Sequence, residues 1–175
     1  MKLLLHICCA PCSISVIDDM RNDNIDVTGY WYNPNIHPYT EYMNRMDTLK
    51  RYSAIINLPV IYAGEYGLKE FTKMVIGDLD NRCPKCYLDR IENTAKYASD
   101  NGYDAFSTTL LISPYQKHDV LKNIGEMLSK KYSITFYYKD FLPFFRNGQD
   151  IARKNELYMQ KYCGCIFSEE ERYSK

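Results

Sequence analysis

The chain has no excess charge of either sign: 22 Lys and Arg stand against 22 Asp and Glu in 175 residues. That balance excludes a wholly basic nucleic-acid packager but permits a local basic face. No apolar run approaches the roughly 20 residues that cross a bilayer, which excludes a helical membrane span. The apolar opening, residues 1–8, is short, and Cys-Cys-Ala-Pro-Cys follows where a signal-peptide cleavage site would stand. It reads as a buried strand of a cytoplasmic protein. Glycine is absent from the loop after that strand, Cys8-Cys9-Ala10-Pro11-Cys12-Ser13. Nucleotide-binding loops place glycines there so that backbone amides can approach phosphate, so the loop argues against ATP binding. Histidine is scarce, with three in all, and His6 reads as a core residue. There is no internal repeat and no low-complexity segment.

What is present is cysteine. Seven is an odd number, so complete pairing within the chain is impossible. In a reducing compartment, concentrated thiols bind metal or carry out redox chemistry. They fall into three groups: Cys8, Cys9 and Cys12; Cys83 and Cys86; Cys163 and Cys165. Cys83, Cys86, Cys163 and Cys165 would satisfy a structural zinc. Cys9 and Cys12 could form a redox dithiol. An iron–sulfur cluster takes four thiolates and leaves three over. Spacing alone leaves these readings open.

With 46% hydrophobic and 25% charged residues, the chain suits one compact domain over residues 1–175. Strands are expected at 2–7, 27–32, 60–63, 105–111 and 133–138. Helices are expected from Pro11 to 22, then at 40–56, 68–75, 84–102, 117–131 and 149–158. The alternation predicts an α/β fold with a doubly wound, mainly parallel sheet, ligands binding beyond the carboxyl ends of its strands. Residues 130–161 carry seven Lys and Arg against three Asp and Glu, a net of +4. That is either a solvated helix face or a surface for nucleic-acid phosphates. Some of the seventeen tyrosines could stack on bases, although no spacing shows which.

Five segments together resemble the cobalamin-independent epoxyqueuosine reductases, the QueH family. They are residues 4–13 (LLHICCAPCS), 32–38 with Glu41 and Tyr42 (YNPNIHP), 82–87 (RCPKCY), 108–115 (TTLLISPY) and 158–168 (YMQKYCGCIFS). The resemblance implies a fold similar to nucleotide α-hydrolase-like (Rossmann-like) proteins without their ATP loop, ending in a cysteine-rich C-terminal tail. It implies reduction of epoxyqueuosine to queuosine at the tRNA wobble position, with a [4Fe–4S] cluster and an additional iron. On that basis Cys8, Cys9, Cys83 and Cys86 are expected to hold the cluster, and Cys163 and Cys165 the second metal, with Cys12 unassigned. Tyr115 and Lys117 are the catalytic candidates. Asn33, Thr108, Thr109, Arg146, Gln149 and Arg153 are the candidate contacts to tRNA. An electron donor is required, and the sequence does not identify it. The rival reading is a zinc-stabilised tRNA-binding module without redox activity. A thiol-dependent sulfur-transfer enzyme would need ATP, and the missing glycine loop counts against it.

Overall fold

A computed structural model describes residues 1–174. Five strands form one sheet: β1 (Lys2–His6), β2 (Asp26–Trp31), β3 (Val60–Tyr62), β4 (Ala105–Thr108) and β5 (Thr135–Phe136). Every pairing is parallel and the spatial order is β3-β2-β1-β4-β5. Seven α-helices connect and flank them: α1 (Ala10–Asn22), α2 (Tyr39–Ile55), α3 (Leu68–Val75), α4 (Arg82–Asp100), α5 (His118–Tyr132), α6 (Phe145–Lys154) and α7 (Ile166–Tyr173). Short 3₁₀ turns cover Thr109–Ile112 and Leu142–Phe144.

A parallel sheet is covered on both faces, and β1 is correspondingly apolar, with Leu3, Leu4 and Leu5 fully buried. Trp31, Phe106 and Phe141 are the largest aromatic side chains sealed in the core. Each such burial contributes roughly 1.5–3 kcal/mol. Strand order reverses at β1: the chain winds outward through β2 and β3, then returns to the other side for β4 and β5. The loops leaving β1 and β4 therefore diverge and open a crevice at the carboxyl end of the sheet. Cys8 leaves β1 and Thr109 leaves β4, and the Cys8 amide donates to Thr109 Oγ1 at 3.2 Å.

Four elements differ from expectation. The strand expected at 105–111 stops at Thr108, because Thr108 Oγ1 accepts from the Leu110 amide at 3.2 Å and starts the 3₁₀ turn. Its residues are buried throughout, so no periodicity separates turn from strand. The strand expected at 133–138 shrinks to Thr135–Phe136, since Ser133 takes the left-handed conformation that caps α5. The last expected helix, 149–158, is shifted to Phe145–Lys154, led in by the Pro143 turn and followed by Glu156 at positive φ. Beyond it lies α7, which periodicity does not anticipate. The tight cysteine cluster follows β1, at Cys8, Cys9 and Cys12; it is not in the C-terminal tail.

Candidate metal centre

The first turn of α1 builds the centre. Cys9 is its N-cap, Pro11 lies in its first turn, and Cys12 follows one turn after Cys9. Cys8 precedes the cap, and the three sulfurs lie within 4.8 Å of one another, all buried. Cys8 Sγ and Cys9 Sγ are 3.8 Å apart. A helix N-terminus favours thiolates through its unpaired amides and dipole. Thr109 Oγ1 donates to Cys8 Sγ at 3.4 Å. The Cys12 and Cys9 thiols beside Cys8 hold it well below the usual thiol range, and Cys8 in turn drives Cys12 upward. Burial raises Cys9. The triad thus favours one thiolate, stabilised by two neighbouring S–H groups.

A buried polar frame supports it from below. His6 Nδ1 meets Thr108 Oγ1 at 2.9 Å, and His6 Nε2 meets Asn33 Oδ1 at 3.1 Å. Asn33 Nδ2 donates to the Ile7 carbonyl at 2.9 Å. Burial, reinforced by the Arg90 charge, lowers His6 to about 4, so the ring is neutral. Nε2–H then donates to Asn33 and Nδ1 accepts from Thr108. Asn33 and Thr108 are fully engaged in holding β1 to its neighbours, beneath the cleft.

The second thiol group joins α4 to the C-terminal segment. Cys83 and Cys86 lie in the first turns of α4. Cys86 and Cys165 pack with Phe71 and Val75 in a satellite apolar cluster. Cys165 is the N-cap of α7, its Sγ accepting from the Ser168 amide at 3.3 Å. The adjacent Cys165 thiol draws Cys163 down to about 5, and Cys163 pushes Cys165 upward. Burial lifts Cys86 to about 11 against the pull of Arg90. Arg90 is a buried cation whose Nε donates to the Cys86 carbonyl at 3.3 Å. Its charge acts on Cys8, Cys86 and Cys163, and so on both groups.

The Cys163-Gly164-Cys165 segment is anchored along its length. Arg45, buried on α2 and paired to Glu41, reaches the Tyr162 and Cys163 carbonyls. The His37 amide donates to the Gly164 carbonyl at 2.7 Å. His37 Nδ1 accepts from the Ile166 amide at 3.3 Å, while Nε2 donates to the Pro34 carbonyl at 2.9 Å. Gly164 has φ +131°, and a Cβ there would stand 3.1 Å from Ile36 Cγ1 and 3.3 Å from Arg45 Nη1. Only glycine fits that bend comfortably.

A cavity of about 840 Å³ opens over the triad, with Cys8, Cys12 and Cys163 in its lining. Its wall is α6, drawn close by Gly148, where a Cβ would lie 3.1 Å from Ser15 Oγ on α1. That wall presents Arg146, Gln149 and Arg153; Tyr115 and Phe145 also line the cleft, their rings edge-on at 6.2 Å. Tyr115 is 82% exposed. Lys117 is not among the lining residues; it is the N-cap of α5, with its amide donating to Tyr87 Oη at 3.3 Å. Three site residues, Arg90, Gln160 and Arg45, escape sequence reasoning, and a fourth, Cys12, is singled out there without a metal assignment. Cys12 stands one turn from Cys9, Arg90 one turn from Cys86, and Gln160 three residues before Cys163, and each spacing is a usable signal. Arg45 has none, because its partners are backbone carbonyls far along the chain.

The sequence pattern of the family described as epoxyqueuosine reductase QueH matches residues 3–171. The chain is 38% identical to the epoxyqueuosine reductase QueH of Dehalococcoides mccartyi, over 99% of this chain and 96% of that one. It is 34% identical to that of Thermotoga maritima, over 99% and 93% of the two chains. In fold it is similar to a crystal structure described as a predicted subunit of tRNA methyltransferase from Methanocaldococcus jannaschii. That likeness has a TM-score of 0.55 at 12% identity and covers 87% of this chain and 76% of the other. A pattern matched almost end to end, with relatives of nearly equal length, places the chain in the epoxyqueuosine reductase QueH family.

Proposed function

We propose that the protein reduces epoxyqueuosine to queuosine in tRNA at an iron–thiolate centre on the floor of the cleft. The observation that carries this reading is the triad: three buried thiols within 4.8 Å, two of them lining a cavity large enough for a nucleoside. Thiolates about 2.3 Å from one tetrahedral ion stand about 3.8 Å apart, the spacing of Cys8 and Cys9. Three ligands leave the fourth position that catalysis at a metal needs. The second group offers four thiols, the number a [4Fe–4S] cluster takes. The proposal therefore assigns Cys8, Cys9 and Cys12 to the single iron. Cys83, Cys86, Cys163 and Cys165 go to the cluster. This division differs from the one expected from the sequence, which joined Cys8 and Cys9 to Cys83 and Cys86.

Converting an epoxide to an alkene consumes two electrons and two protons and releases water. When bound, the cluster supplies electrons singly and the iron polarises the epoxide oxygen. The chain's own residues present the substrate. An anticodon loop is single-stranded, so its wobble base can enter a cleft without opening a duplex. Arg146 and Arg153 on the wall suit its phosphates, Gln149 a base edge, and the Tyr115–Phe145 pair an unstacked neighbouring base. Thr109 holds Cys8 rather than substrate. No described helix is long and apolar enough to cross a membrane. We place the reaction in the cytoplasm, with electrons from an external donor.

Anaerobic reconstitution with iron and sulfide tests the reading. It should give a brown protein with acid-labile sulfide that converts epoxyqueuosine in an anticodon stem-loop when a chemical reductant is supplied. A colourless protein that binds only zinc and leaves the epoxide intact would instead support the zinc-stabilised tRNA-binding module.

A further inference from the structure

Gln160 is a side chain the chemistry above does not use. Its Nε2 lies 2.8 Å from Cys9 Sγ and 3.5 Å from Cys12 Sγ. Among the described residues no other side-chain N–H meets either sulfur. Its Oε1 is buried without a partner. Leaving an amide oxygen unpaired costs roughly 1–3 kcal/mol, so this orientation needs a reason.

We infer that Gln160 is the positioning residue of the triad: its amide gives one N–H to each of two sulfurs and fixes them toward a shared metal ion. A primary amide has two hydrogens, matching the two acceptors. A protonated thiol could donate to Oε1, but a thiolate can only accept. With their S–H groups turned to Cys8, or deprotonated on a metal, Cys9 and Cys12 meet the amide as acceptors, and the orientation with nitrogen on sulfur suits both. Hydrogen bonds to ligating atoms set ligand direction and metal affinity, and their removal typically weakens binding 10–100-fold. The segment that carries Gln160 also carries Cys163 and Cys165, so one side chain ties the second thiol group to the first.

The inference rests on the reading of the triad as a metal site. The test is an anaerobic titration of the full chain with Co²⁺, followed by sulfur-to-cobalt absorption. The part of that absorption lost in Cys12→Ala reports the triad. Gln160→Met, similar in size but without N–H groups, should raise the Co²⁺ dissociation constant of that part about 10–100-fold. Gln160→Glu, isosteric and accepting only, should lose at least as much. Circular dichroism and the unfolding midpoint should match wild type. Affinities within about twofold of wild type in both variants would overturn the assignment. A wild-type chain with no triad band would overturn the metal reading and this one together. Weakened cobalt binding in a protein that cannot reduce the epoxide would leave Gln160 in place and remove only the proposed reaction.

Discussion

Arg45 Nη1 donates to the Cys163 carbonyl at 3.0 Å across 118 residues of sequence. The same guanidinium donates through Nε to Glu41 Oε1 at 2.6 Å and through Nη2 to the Tyr162 carbonyl at 2.9 Å. A buried ion pair thereby also fixes the segment bearing two metal-ligand candidates. Removing one member of such a pair leaves the other charge buried, at about 3–5 kcal/mol. Arg45→Met should lose that amount in urea unfolding and expose residues 158–165 to limited proteolysis. Adding Glu41→Gln should restore part of the stability, but not the protection from protease.

Cys12 should matter as much as the cysteines that the sequence places first. Cys12→Ala and Cys8→Ala are expected to remove the same equivalent of bound iron, while labile sulfide stays near wild type. Cys83→Ala should lower labile sulfide and iron together. Parallel iron and sulfide analysis of the three variants separates this grouping from one in which Cys8 and Cys9 share a cluster with Cys83 and Cys86.

Gly164→Ala should disturb the second thiol group without unfolding the sheet. The backbone at φ +131° is strained for any side chain, by about 1–3 kcal/mol. The added methyl would also crowd Ile36 and the Arg45 guanidinium. The expected result is faster amide exchange in residues 162–168 and less labile sulfide, with β1 protection unchanged. Hydrogen exchange by mass spectrometry reads the first and the last of these, and a sulfide assay the second.

Arg146 and Arg153 should differ in their weight on tRNA. Arg153 is paired with Asp150 at 2.8 Å, an exposed ion pair that partly neutralises it. Arg146 has no acidic partner among the described residues. Removing a cation that neutralises one phosphate lowers the salt slope of binding by about one. Arg146→Ala should show the larger loss, Arg153→Ala a smaller one, and Asp150→Asn a steeper slope than wild type. Titrating labelled anticodon stem-loop at several salt concentrations measures all three.

The sheet is legible where strands are buried and rich in strand-forming residues: β1, a nearly continuous apolar run, and β2, with Val27, Tyr30 and Trp31 buried, lie within a residue of their expected places. β5 is not, because only two residues pair at the sheet edge and Ser133 belongs to the cap of α5. At the site, Arg146, Gln149 and Arg153 are legible as polar residues next to a cysteine segment, and the cleft wall presents all three. Asn33 and Thr108 illustrate the opposite. A strand-end loop suggests substrate contact; both side chains bond to His6, which sheet register sets opposite Thr108, and neither lines the cleft. Gln160 and Arg45 reach partners more than a hundred residues away, and no local pattern names those partners.

The 151-residue separation between Cys9 and Gln160 also orders events in time. On the ribosome, at about 5–20 residues per second, the triad thiols precede their amide partner by roughly 8–30 s. For most of that interval the nascent chain lacks the α6 wall, and throughout it lacks Cys163 and Cys165. The finished centre is thus a product of late folding, and metal delivered before the last helices emerge would meet three thiols on an uncovered edge.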